Sequence, residues 1–215
     1  MSGIKRRAVT QAQKLFRRQE ILSGARCHFE AVGYERFSMR QLASQLGIVK
    51  GTLYLYFPTK EAIVLALYSR ALEDWSQVVK TTLADALTED DFVQFFYDSA
   101  MADPILVPIL VRLEHVIEHN ISIALLIDSK RHFKACLNAI ADEAALALDL
   151  PITQARELII TLGILLSGAT LSDQGPSLIA ESLPEDVREF LNSLSSKKIF
   201  ITNGRRILAG IRCQS

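Results

Sequence analysis

Lys50, Gly51, Thr52, Tyr54 and Tyr56 lie close together in the stretch VKGTLYLYF, and their chemistry suits a polyanion with readable edges. Lys50 can donate to guanine O6 or N7, or to a phosphate; Thr52 can offer its hydroxyl to a base edge or its methyl to thymine. Gly51 has no side chain and lets backbone approach a duplex closely. Tyr54 and Tyr56 end in hydroxyls suited to phosphate oxygens, contacts that set register without reading sequence. The other reading of either tyrosine is simple packing in a small helical domain. Ser38 and Lys60 stand where helices would begin, and backbone N–H groups at such positions already favour an anion.

These residues need two short helices to position them. Met39, Leu42, Ala43 and Leu46 recur at spacings of three and four, so a helix from about Met39 to Leu46 buries one narrow apolar stripe. Ser38 is placed to cap its start, and Gly47 just past its end supplies the stop. Lys50 opens the second helix, in which Leu53 and Phe57 face the first and the polar residues turn outward. Two short helices joined by a tight glycine turn make a helix-turn-helix. Ahead of them, Ile21, Leu22, Ala25, Phe29 and Val32 give a first helix its buried face, and Gly24 inside it requires a closely packed neighbour. Pro58 disfavours the helical conformation of Phe57 and lacks a donor, so the chain breaks there and a longer helix starts at Lys60.

The run GIVKGTLYLYFPTKEAI, with the helix from about Arg17 to Val32 before it, resembles the signature of the TetR family of bacterial transcriptional repressors. The resemblance implies that the positions of Ser38, Lys50, Thr52, Tyr54, Tyr56 and Lys60 contact operator DNA. It further implies a palindromic double-stranded operator, a homodimer and a helical second domain that answers to a small-molecule effector; the rival reading is a DNA-binding regulator that answers to a protein partner or to no ligand. Val49 departs from the pattern, because a small hydroxyl residue often precedes the lysine. Valine can neither cap the recognition helix nor bond a phosphate.

Charge distribution agrees with a nucleic-acid partner. The formal net charge is zero, yet residues 1–60 hold 11 Lys or Arg against 3 Glu, and residues 61–215 hold 13 against 21 acidic residues. A basic first quarter supplies sequence-independent affinity through counterion release. Lys5, Arg6, Arg7 and Lys14 belong to an arm that either reaches the phosphate backbone or has no role. No uninterrupted apolar run is long enough for a membrane span, and no apolar stretch follows the basic N-terminal residues as a secretory signal would. Cys27, Cys136 and Cys213 are far apart and odd in number, which fits free thiols in a reducing cytoplasm.

The expected fold is all-α: a DNA-binding domain over residues 1–60 with its basic arm, and a helical effector-binding and dimerisation domain over 61–215. In the latter, helical segments are expected from Asp91 to Met101, Pro104 to Asn120, Ile123 to Leu148, Gln154 to Leu171 with Thr153 as cap, Glu185 to Leu194 and Ile199 to Ile211. A loop from Ser172 to Pro184 carries Gly175 and Pro176. A mainly apolar pocket is expected from Phe95, Phe96, Met101, Leu110, Leu113, His115, Ile117 and Phe133, with Arg112, His119 or Asn120 as polar anchors. The dimer surface is expected on Gln154 to Leu171 plus the C-terminal helices, because Gly163, Ser167, Gly168 and Ala169 permit close approach beside Leu158, Leu162 and Leu166; the other reading is ordinary interior packing.

His115, Glu118 and His119 spell H-x-x-E-H, an inverted zinc-peptidase pattern in which a helix sets both histidines on one face. Three specified positions recur easily by chance, and Leu113, Val116, Ile117 and Ile121 give that segment a buried face. The sequence contains neither a phosphate-cradling glycine loop nor G-x-S-x-G. No catalytic residue, metal or cofactor is assigned.

Overall fold

A computed structural model describes residues 10–83, 88–171 and 183–213. Lys5, Arg6 and Arg7 of the basic arm, and Gly175 and Pro176 of the connecting loop, lie outside the described residues. Those residues are all-α, with ten helices and no strand among them. They fall into two compact units, Met1–Leu67 and Tyr68–Ser215.

In the first unit, α1 (Gln11–Arg36) starts at a reciprocal cap between Thr10 and Gln13 and is interrupted at Gly33, whose φ of 70° and ψ of 177° leave the helical region. Ile21, Ala25 and Phe29 are buried, as is His28, which the apolar periodicity had passed over. α2 (Met39–Gln45) is capped by Ser38, whose Oγ accepts from Gln41 N at 3.1 Å. Gly47 then takes φ 61°, a left-handed conformation that costs a glycine little and reverses the chain within one turn. α3 (Lys50–Tyr56) follows, with Leu53 and Phe57 buried beneath it. Pro58 ends it, and Thr59 Oγ1 caps α4 (Lys60–Leu83) by accepting from Ala62 N at 3.0 Å.

The division between units falls inside α4 rather than before it. Lys60 and Glu61 of its first turn are both bonded to Tyr34 of α1, so this end of the helix is part of the smaller unit.

The second unit holds α5 (Glu89–Ala102), α6 (Leu106–Leu110), α7 (Ile123–Ala147), α8 (Ile152–Leu171), α9 (Glu185–Ser193) and α10 (Ser196–Arg212). α8 packs on α7 and α10, and α10 also lies against α5. A Cβ on Gly204 would meet Val93 Cγ1 at 2.6 Å and Leu162 Cδ2 at 3.2 Å, so glycine is what lets α10 approach both helices. Phe96 and Phe200 stack at 6.0 Å, and Trp75 meets Phe96 edge-on at 5.1 Å. By length and composition α8 is the one described helix that could cross a membrane. Here its Leu158, Ile159, Leu162 and Leu166 are buried, as in a core helix.

Two segments differ from expectation. α8 begins at Ile152, before Thr153, so Pro151 and not Thr153 precedes its first turn. The segment expected as one helix from Pro104 to Asn120 breaks into α6, a π-helical turn over Leu113–Ile117 and a 3-10 turn over Glu118–Asn120. Pro108 lacks a backbone donor, so a helix holds it without loss only in its first turn, and it is the third residue of α6. The π turn then forms where Ile117 N bonds Arg112 O at 3.2 Å.

Candidate nucleic-acid interface and ligand cavity

α3 presents an exposed edge. Lys50 and Gly51 are exposed at its start, Thr52 and Tyr56 are half-buried, and Tyr54 is exposed. The Lys50 ammonium lies 5.4 Å from the centre of the Tyr54 ring, which holds two extended side chains along one side of the helix. Val49 precedes the helix without a side-chain cap and is 76 % exposed. Leu55, at 84 % exposed, is a second apolar group on this outward side; its exposure was not legible because alternate helical positions in LYLYF are all large and partly apolar. Ser38 is half-buried, its Oγ engaged in the α2 cap.

Lys60 directs its ammonium inward. Nζ donates to Tyr34 O at 2.6 Å and lies 3.8 Å from the Tyr34 ring centre, while Tyr34 Oη donates to Glu61 at 3.1 Å. Burial lowers the Lys60 pKa, opposed by the charges of Glu61 and Glu35. This group is engaged in joining α1 to α4.

Within the second unit a cavity of about 500 Å³ is enclosed by α4 to α8 and the π turn. Phe96, Leu110, Leu113, His115 and Phe133 line it. Tyr68, Leu72 and Trp75 also line it from α4. They follow the spacing i, i+4, i+7, which sets them on one side of α4. Other expected pocket residues lie elsewhere. Phe95 is turned off the inward face that carries Phe92 and Phe96, and Met101 is 40 % exposed. Ile117 is fully buried outside the cavity wall. Arg112 Nη1 donates to Pro108 O at 2.9 Å, and Asn120 Nδ2 to Val116 O at 2.7 Å, so both anchor backbone instead. His119 is exposed.

Of the residues expected at a dimer surface, some lie in the core and others at the cavity. Leu158, Leu162, Leu166 and Ala169 are buried inside their own protomer, and Gly163 and Ser167 line the cavity. Ile160, Ile164 and Leu171, at 51 %, 69 % and 54 % exposed, form the exposed apolar side of α8 and also line the cavity. A Cβ on Gly168 would meet nothing within 4 Å; within this chain, no close helix approach requires that glycine.

The H-x-x-E-H residues are held apart from metal chemistry by their own contacts. Glu118 pairs with Lys130 of α7 at 2.8 Å, and His115 and His119 are exposed on a backbone that is not α-helical. Among the described residues no three His, Cys, Asp or Glu side chains converge as metal ligands.

Comparison with known proteins bears on both units. The model of the family described as bacterial regulatory proteins, tetR family, matches residues 21–67, and that described as tetracyclin repressor-like, C-terminal domain, matches residues 69–186. The HTH-type transcriptional repressor AcnR of Corynebacterium diphtheriae is 36 % identical over 81 residues, 38 % of this chain and 41 % of the relative. The HTH-type transcriptional regulator RutR of Escherichia coli is 32 % identical over 84 residues, 39 % of this chain and 37 % of the relative. The alignments thus span about two fifths of the length of these curated relatives. Among solved structures, a TetR transcriptional regulator from Rhodococcus sp. RHA1 aligns with a TM-score of 0.57 at 16 % identity, covering 94 % of this chain and 97 % of that one. FadR of Bacillus subtilis in complex with stearoyl-CoA aligns with a TM-score of 0.51 at 17 % identity, covering 85 % and 97 %. At such identities the likeness concerns the fold.

Proposed function

The chain belongs to the tetR family of bacterial regulatory proteins, and on that premise we propose that it is a sequence-specific DNA-binding transcriptional regulator acting in the cytoplasm. It is a dimeric repressor, released from a palindromic operator by a small, largely apolar effector. The observation that carries this reading is the exposed edge of α3, where Lys50, Gly51 and Tyr54 stand free of the core behind the Gly47 turn. A helix of that length fits a major groove with its first turn towards the base edges. Lys50 and Thr52 read bases, while Tyr54 and Tyr56 bind phosphate. The Ser38 end of α2 meets the backbone, and Lys60 fixes α1 against α4 instead of touching DNA.

One short helix reads too few base pairs for genomic specificity, so two copies are required. Ile160, Ile164 and Leu171 form the face through which the second copy docks. An effector in the second-unit cavity binds one state of the dimer more tightly and shifts the population away from the DNA-bound state; only such differential affinity can do so.

Selection from a random duplex pool, followed by footprinting, tests the assignment. The expected result is an enriched palindrome protected by the wild type, with protection lost in Lys50→Ala and Tyr54→Ala. A pool that enriches no sequence, with no salt-dependent duplex binding, overturns it.

A further inference from the structure

The cavity wall is graded. Its floor is made of buried side chains, among them Leu72, Trp75 and Phe96, while its rim carries Glu114, His115 and Lys130. Tyr68 brings a hydroxyl to the floor: it is 3 % exposed and packs against Phe133 with ring centres 6.4 Å apart. Its hydroxyl makes no hydrogen bond among the described residues. Trp75, the other floor residue with a donor, has already given its Nε1–H to Ser99 Oγ at 3.0 Å.

A phenol that lines an apolar cavity and has no partner in the chain is free to bond a polar atom of whatever enters. Burial, with smaller effects of Cys136 and Glu118, raises the Tyr68 pKa and keeps the phenol neutral, hence able to donate. The rim decides the charge of what enters. Lys130 is the one lysine or arginine among the lining residues; Glu118 neutralises it at 2.8 Å, and Glu114 adds a carboxylate. A carboxylate or phosphate head would meet no uncompensated lysine or arginine among these lining residues and would have to displace Glu118.

We propose that the cavity takes an uncharged apolar molecule bearing a carbonyl-type oxygen, and that the Tyr68 hydroxyl reads that oxygen by donating to it. This rests on the cavity being the effector site. It adds the ligand's charge, the group it must carry and the residue that selects it.

Three bicyclic compounds of similar shape separate the possibilities: acetylnaphthalene, isopropylnaphthalene and naphthoate. Each is titrated against the fluorescence of N-phenyl-naphthylamine bound to the full chain. The ketone displaces the probe from wild type at about one tenth the concentration of the hydrocarbon, the factor expected for one net hydrogen bond, and naphthoate displaces it least. In Tyr68→Phe the ketone loses its advantage and the hydrocarbon is unchanged. Urea unfolding of unliganded Tyr68→Phe occurs at the wild-type midpoint or above it, which a structural role for the hydroxyl would not give. Equal displacement by ketone and hydrocarbon in wild type, a preference that survives Tyr68→Phe, or tightest binding by naphthoate each overturns the proposal. Failure of the underlying reading has a different signature. The probe then either gives no enhanced fluorescence with wild type or responds identically to Gly163→Trp, whose indole would fill the cavity, and the proposal falls with it.

Discussion

Gly24 in α1 and Leu46 at the end of α2 meet so closely that a Cβ on Gly24 would overlap Leu46 Cδ2 and lie 3.3 Å from its Cγ. Glycine inside a helix costs about 1 kcal/mol relative to alanine. Here the cost is offset by the approach of the second helix. Gly24→Ala therefore gains helix propensity and loses the Leu46 contact. In a Leu46→Ala background the same change keeps only the gain. Urea denaturation of the two single variants and the double variant should show non-additivity of at least about 0.5 kcal/mol. Equal effects of Gly24→Ala in both backgrounds would show that the contact is not what selects glycine.

Val49 stands at the N-cap of α3 without a side-chain acceptor, and Thr52 N turns to Val49 O at 2.8 Å instead. Serine at this position can accept from an orphan N–H of the first turn. Val49→Ser should stabilise the first unit by about 1 kcal/mol, read as an increase in the urea midpoint. It should also tighten operator binding, since a hydroxyl there can reach phosphate. A variant no more stable than wild type would mean that the first turn of α3 is already satisfied.

Lys50 and Tyr54 lie side by side on the exposed edge, yet their losses should differ in kind. If Lys50 reads a guanine, Lys50→Ala relaxes the preference at one operator position and weakens specific binding by about ten-fold or more. Tyr54→Phe, which removes only a phosphate-directed hydroxyl, weakens all sequences alike. Competition binding on a set of single-base operator variants distinguishes the two patterns. Uniform weakening by Lys50→Ala, with a salt slope reduced by about one, would reassign Lys50 to phosphate.

What the sequence revealed and what it hid have the same cause, the range over which each signal acts. Ser38, Gly47 and Pro58 act through bonds or clashes with the nearest residues, so the two short helices and the break before α4 could be placed without tertiary information. The all-α character followed from periodicity that persists along the chain. α8 was different: Leu158, Leu162 and Leu166 run down one side while Ile160 and Ile164 run down another, and a helix apolar on both sides does not say which is inside. The interior was settled by α7 and α10, which arrive from distant sequence. Arg112 and Asn120 looked like ligand anchors because their side chains are polar. In the fold they donate to the Pro108 and Val116 carbonyls, each four residues earlier in the chain.

His28 is the least expected member of the first unit's core. It is 3 % exposed, its ring sits 5.1 Å from that of Phe37, and neither ring nitrogen has a hydrogen-bond partner among the described residues. Burial lowers its pKa below the ordinary value of 6.5. The unfolded chain therefore takes up this proton near pH 6.5, while the folded unit resists it. Where the unfolded state binds more protons, stability falls as pH falls. The contribution is fully present above about pH 6.5, declines as pH drops through that value, and stops declining once the folded-state pKa is reached. The chain carries three further histidines, so the wild-type curve alone does not isolate His28. The comparison that does is His28→Leu, of similar volume and without a titratable group. Urea midpoints of the two proteins, measured from pH 7.5 down to pH 5 at constant ionic strength, should diverge in favour of the variant as pH falls. Parallel curves would mean that the buried imidazole finds a partner when protonated, and that its burial sets no acid limit on the DNA-binding unit.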